Sequence, residues 1–251
     1  MQSVKSLIIN FVILSKIADL KLKIHRRDII LLYHSVEENA SDYPYSVSLE
    51  SFKTHLEILS RYFEITSLEK LFNIPSKKSR VALTFDDAYD DFYTTVFPIL
   101  LEKRLPSTVF VATKFIESNN YLYKSEDGKS QKHHLTWDQM RELRSSGLVE
   151  FGSHTHSHID AVENFDYLEN DIHISIKTLK KELNRFPRYF AYPYGTCTPA
   201  THRVALSCGF EKIFTTKSAS VAEGSVQGRH DIQRSNEDKG LFKLKISGIK
   251  P

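Results

Sequence analysis

The chain has 251 residues, 41% of them hydrophobic and 26% charged, which suits one globular domain with a full core. Its net charge of +3 is mild and its lysines are scattered, so nucleic acid is not an expected partner. Cys197 and Cys208 are too few for a disulfide framework, and their spacing fits no zinc motif.

From the N-terminus, an apolar run of Leu7, Ile8, Ile9, Phe11, Val12, Ile13 and Leu14 precedes Lys16, Lys21, Lys23, Arg26 and Arg27. It is shorter than the roughly 20 residues that span a bilayer, and Ser15-Lys16-Ile17-Ala18-Asp19 is a poor signal-peptide cleavage site. Residues 1–27 therefore read as an amphipathic segment that anchors peripherally on an anionic membrane face, with residues 28–251 as the folded domain. The competing reading is a helix packed against the domain. The expected location is cytoplasmic, peripheral on the inner membrane; the alternative is a secreted or cell-envelope protein.

Asp28 to Tyr33 predicts a buried first strand, with His34 at its tip. Ser48 suits an N-cap for a helix carrying Leu49, Phe52, Leu56 and Leu59 at helical spacing. Tyr62 to Ile65 predicts a short strand, Ser67 to Phe72 a short helix, and Val81 to Phe85 the next buried strand. That strand runs into Asp86 and Asp87. Adjacent residues of an extended chain point in opposite directions, so the pair shares one site only where the strand breaks. Two carboxylates at a strand C-terminus suggest a metal ligand plus a base; the plainer reading is an Asp-rich turn capping the helix around Pro98 to Leu101.

Ser107 to Thr113 is rich in β-branched residues and predicts a strand. Residues 117–134, with Asp127-Gly128, Tyr121 and Tyr123, read as a polar insertion whose aromatic rings could stack on sugars or simply face solvent. Thr136-Trp137-Asp138-Gln139 fits a capping box. Leu148 to Phe151 predicts a strand ending at Gly152-Ser153-His154-Thr155-His156-Ser157-His158, and Leu168, Ile172, Ile176, Leu179 and Leu183 form one buried helical stripe. Tyr189 to Tyr192 predicts a strand, Ala200 to Ser207 a helix, Lys212 to Thr216 a strand, Ser218 to Gly228 a loop, and His230 to Gln233 a last strand. This alternation predicts an α/β fold with a parallel sheet.

The Thr84-Phe85-Asp86-Asp87 and His154-Thr155-His156-Ser157-His158 segments, in that order and about seventy residues apart, resemble the polysaccharide deacetylases of the NodB homology type, carbohydrate esterase family 4. The resemblance runs from about Ile29 to about Gly248 and implies a distorted (β/α)7 barrel. It also implies one divalent metal, held by Asp87, His154 and His158, with Asp86 as general base. Asp and His ligands suit zinc and tolerate other first-row ions. Spacing supports the histidine pair if the segment makes a helical turn, but in an extended segment His156 would face the same way, so His156 stays open as a ligand.

The Phe190 to Gly195 segment resembles the family's third motif, in which the backbone N–H of Tyr194 would stabilise an oxyanion. The sequence departs from the commoner pattern at Ala191, where many members carry an arginine that orients the base; Arg234 is the candidate substitute. It also lacks the usual C-terminal Leu-His acid. His34 is the expected general acid, and His230 the weaker candidate. The resemblance thus implies removal of N-acetyl groups from an N-acetylhexosamine in a polysaccharide or lipid-linked glycan. The alternatives are an O-acetyl esterase of the same family and an inactive carbohydrate-binding domain.

Overall fold

Helix α1, Gln2–Ile24, turns through residues 25–27 into strand β1, Asp28–Tyr33. The computed structural model describes residues 2–38, 43–118, 120–124, 131–216 and 226–249, with side chains of α1 from Ile13 onward. Two short strands, β2 (Ser35–Glu37) and β3 (Ser46–Ser48), pair in parallel. Ser48 then caps α2 (Leu49–Tyr62) by accepting the Ser51 N–H, as a serine placed before an apolar helical stripe should. Strand β4 (Glu64–Ile65), helix α3 (Leu68–Asn73) and strand β5 (Arg80–Phe85) follow.

A π-helical turn over Phe92–Val96 continues into α4 (Phe97–Glu102), and then comes β6 (Ser107–Val111). Both arms of the expected capping box are made at Thr136 and Gln139, ahead of α5 (Trp137–Ser145). The rest of the chain is β7 (Val149–Ser153), α6 (Phe165–Leu183), β8 (Tyr189–Ala191), α7 (Pro199–Ser207), β9 (Lys212–Thr215), β10 (Val226–Gly228), β11 (His230–Asp231) and α8 (Lys239–Ser247).

The large sheet runs β10-β9-β8-β7-β6-β5-β1-β11, all parallel, with β4 beside the start of β5. Its two end strands are separated in sequence by Arg229 alone, so the sheet's edges meet there. The result is a nearly closed parallel barrel clothed in helices, the expected NodB-like (β/α)7 fold.

Alternation along the strands sorts side chains into two layers. Ile30, Ala82, Phe110, Tyr189, Ala191 and Phe214 form the barrel interior, while Leu31, Tyr33, Val81, Leu83, Phe85, Val109 and Val111 pack against Phe52, Leu56, Leu100 and Met140 of the helices. Strands buried on both faces need apolar residues at nearly every position. The interior is tight at β7, where a Cβ on Gly152 would lie 2.9 Å from the Tyr189 carbonyl oxygen.

Three expectations change. The stretch read as loop from Ser218 ends in β10, its first eight residues lying outside those described along with Asp127-Gly128. The last strand stops at Asp231, because Gln233 leads into a 3-10 turn over Arg234–Asn236. Helix α8 was not foreseen, since its buried Gly240, Phe242, Leu244 and Ile246 alternate like a strand. End chemistry overrides that pattern: Asp238 accepts the Gly240 and Leu241 N–H groups, and Gly248 closes the helix at φ +68°.

Helix α1 packs against the domain along one side. Ala18 and Leu22 are buried, and Asp19 accepts hydrogen bonds from Tyr62 Oη at 2.6 Å and Lys243 Nζ at 3.0 Å. Among the described residues no helix is long and apolar enough to cross a membrane.

Candidate metal centre

The site lies at the C-terminal ends of the strands, and the ladder itself places two of its residues. Asp86 donates its N–H to the Tyr33 carbonyl, and His154 donates to the Val111 carbonyl, each extending its strand by one hydrogen bond. Both therefore keep the inward direction of the alternate residues before them. Asp87 cannot follow by alternation. It enters because the chain breaks into the left-handed region at Asp87 (φ 70°) and Ala88 (φ 52°), an uncommon conformation for residues with a Cβ. The insertion stabilises that break: Leu135 N–H bonds the Ala88 carbonyl at 2.8 Å, and the His134 ring bonds the Asp87 carbonyl at 2.8 Å.

The histidine segment is neither a helical turn nor extended. Thr155 (φ 66°) and His158 (φ 55°) both take left-handed conformations, so His154 and His158 converge while His156 is diverted. His156 Nδ1 pairs with Thr113 Oγ1 at 2.8 Å, and its N–H donates to Asp171 Oδ2. His156 thus stands outside the cluster.

Asp87, His154 and His158 each present one donor atom, and these atoms lie within 4.8 Å of one another. Asp87 Oδ1 is 3.3 Å from His158 Nε2 and 3.6 Å from His154 Nε2. That oxygen is buried without a hydrogen bond of good geometry, which a native interior seldom tolerates. His154 Nδ1 meets the Ala191 carbonyl at 2.8 Å, so Nδ1 carries the proton and the Nε2 lone pair faces Asp87. Burial pushes the His154 imidazolium down to about 4, which keeps the ring neutral as a ligand must be. One carboxylate and two imidazoles around an orphaned oxygen fit a divalent cation with an open position.

Asp86 is buried beside this cluster, with Oδ2 3.8 Å from His154 Nε2. Burial would raise its carboxyl, but the charged surroundings, Arg229 first among them, hold it below the usual carboxylate range. The Arg229 guanidinium makes two bonds of 2.7 Å, one to each carboxylate oxygen. Arg229 comes from the seam between β10 and β11, and its face packs on Phe110 and Phe214.

This corrects the expectation for Arg234, which is exposed in its 3-10 turn with its N–H towards the Pro44 carbonyl. The reason is topological: Arg229 stands where the barrel closes, which its neighbours in sequence do not reveal. The one local signal was a basic residue between strand-like Val226 and Ile232.

His34 lies within electrostatic reach of both aspartates. Its Nδ1 is buried without a hydrogen-bond partner, and its ring lies 5.0 Å from that of Tyr45. His230 is placed elsewhere. It pairs in register with Leu31, three residues before His34, and its imidazolium is lowered by burial, then by Lys245 and Arg27. Its partner Leu31 lies in the helix-facing layer, so His230 faces the helices and not the barrel interior.

Tyr194, at φ 59° and 65% exposed, stands at the rim with its ring 4.9 Å from that of His158. Tyr123 of the insertion packs on Tyr43 at 4.6 Å, and Tyr121 packs on His133. Asp91, at the end of the aspartate stretch, is committed to Ser35 and Lys132 instead of the cluster.

The sequence model of the polysaccharide deacetylase family matches residues 73–213. Poly-beta-1,6-N-acetyl-D-glucosamine N-deacetylase of Escherichia coli (strain K12) is 23% identical over 242 residues, covering 77% of this chain and 34% of that protein. The protein of the same name from Staphylococcus epidermidis is 27% identical over 192 residues, covering 70% of this chain and 63% of that one. The chain therefore spans about a third of the first relative and under two thirds of the second. The solved structure of IcaB from Ammonifex degensii is similar with a TM-score of 0.73 and 25% identity, covering 88% of this chain and 98% of that one. With its profile, its barrel and its Asp-His-His cluster in agreement, the chain belongs to the polysaccharide deacetylase family.

Proposed function

We propose that this chain is a metal-dependent N-deacetylase acting on N-acetylhexosamine residues of a glycan, β-1,6-linked N-acetylglucosamine being the first substrate to test. The names of the relatives support the substrate class. The observation that carries the reading is the pairing of an orphaned Asp87 oxygen facing two imidazole nitrogens with a second carboxylate kept ionised by Arg229.

Asp87, His154 and His158 would hold the cation. When bound, a divalent ion supplies Lewis-acid polarisation of the acetyl carbonyl and acidifies the attacking water. Asp86 takes the proton of that water, and its low pKa keeps it ready to accept at neutral pH. The Tyr194 backbone N–H is the proposed donor to the oxyanion. His34 delivers a proton to the departing nitrogen, so the C–N bond breaks to give acetate and a free amine.

The test is acetate release from N-acetylglucosamine oligomers by purified protein supplied with zinc, alongside O-acetylated glycans as competitors. Asp87→Ala, His154→Ala and His158→Ala are expected to lose metal and turnover together. Asp86→Asn should keep metal and lose turnover. Glycan binding without acetate release would make the chain a carbohydrate-binding domain, and release from O-acetyl glycans alone would make it an esterase.

A further inference from the structure

Helix α1 is apolar on two opposite faces, and the fold uses only one of them. Ala18 and Leu22 face the domain and are buried. Ile13, Ile17, Leu20 and Ile24, spaced four, three and four apart, are 49%, 47%, 58% and 63% exposed. At about 3.6 residues per turn they make one stripe. On the same wheel Lys16 and Lys23 fall along one flank of the stripe and Lys21 along the other, with exposed Arg26 just past the helix end. Asp19 is the one acidic residue in positions 1–27, and it is turned to the packed side by Tyr62 and Lys243.

We infer that the outer face of α1 binds the surface of a bilayer containing anionic phospholipid. The aliphatic stripe enters the acyl boundary, and lysines on both flanks meet the headgroups. The charge pattern decides the occupant. A second protein helix seated on the stripe would need carboxylates along both of its edges, and α1 offers none to a second copy of itself. An anionic lipid surface offers negative charge on both sides of any buried stripe. The helix keeps its inner contacts while bound, so docking requires no unfolding of the domain.

The experiment uses the full chain with vesicles of phosphatidylcholine, alone or mixed with phosphatidylglycerol, in a flotation assay. Binding is expected to the mixed vesicles only, and to weaken as salt rises. A variant carrying Ile17→Gln, Leu20→Gln and Ile24→Gln should lose it while its melting temperature and its hydrolysis of soluble substrate stay unchanged. Lys16→Gln and Lys23→Gln, both at exposed positions, should each weaken binding about fivefold. The inference is overturned if the parent chain floats equally well with phosphatidylcholine alone or with neither vesicle. It is equally overturned if the triple variant floats like the parent. Light scattering that shows a parental dimer dissolved by the triple variant would assign the stripe to a second copy instead.

Discussion

The pairing of Arg229 with Asp86 is where a single residue decides the chemistry, because two ionised groups are buried together at bidentate geometry. Removing one partner of such a pair strands the other charge and costs about 3–5 kcal/mol of stability. Arg229→Met is therefore expected to lower the melting temperature and to reduce kcat/KM by about 10- to 100-fold, the range for partners that orient a site. Loss of the guanidinium raises the Asp86 carboxyl, so the acidic limb of the pH profile should move to higher pH. Arg229→Lys should restore part of that shift. An unmoved limb in Arg229→Met would show that Asp86 is not the base. His34→Ala should cut turnover by about 10² to 10⁴ with metal content, read by elemental analysis, unchanged. The sequence displayed His34, Asp86, Asp87, His154 and His158, but Arg229 was hidden, since no local pattern announces which residue sits at a barrel seam.

At the scale of an element, α1 separates packing from exposure within three residues. Leu22 is 3% exposed and belongs to the main core, whereas Leu20 is 58% exposed. Leu22→Ala should destabilise the protein by about 2–4 kcal/mol, and Leu20→Ala should stay within about 0.5 kcal/mol. Urea titration of the two variants measures both. Equal effects would mean that α1 does not dock as described. Strand β7 and its loop show the same division between local and tertiary causes. The apolar run predicts the strand, but the left-handed turn at Thr155, which a β-branched residue strongly disfavours, and the one at His158 that together separate His156 from its neighbours are not announced by the sequence. Tertiary hydrogen bonds, such as those from the His156 and Ser157 N–H groups to Asp171, hold them there.

Across the whole molecule, His55 joins the beginning of the domain to its end. Its Nε2 lies 3.0 Å from the Asn236 carbonyl, its Nδ1 3.2 Å from the Tyr33 hydroxyl, and its ring stacks on Phe242 at 3.8 Å. Burial pushes its imidazolium down to about 4. An unfolded chain would protonate near 6.5, so below that pH the unfolded state binds the proton first. The stabilisation is full above about 6.5 and is lost as pH falls towards 4, by up to about 3 kcal/mol. Unfolding free energies measured between neutral pH and mild acid should therefore fall less steeply in His55→Gln than in the parent chain, though from a lower starting value. Parallel curves would remove His55 as the source.

What the sequence determined by itself was the alternation of buried strands and amphipathic helices, and with it an α/β fold with a parallel sheet; the barrel was implied only by the resemblance that the two motifs carry. Apolar periodicity is a local property that survives any tertiary arrangement consistent with a core. It also determined the chemical inventory at the strand ends, two aspartates and a histidine cluster. The tertiary structure decided which of these donors converge, because Asp87, Thr155 and His158 adopt left-handed backbone angles that are uncommon for any residue with a Cβ and that tertiary hydrogen bonds hold in place. It decided that Arg229 and not Arg234 orients Asp86, since the partner of a buried carboxylate is set by where the sheet closes. It also turned an alternating, strand-like tail into α8. There two end caps and a neighbouring helix outweighed the pattern, as long-range packing does whenever local preference is weak.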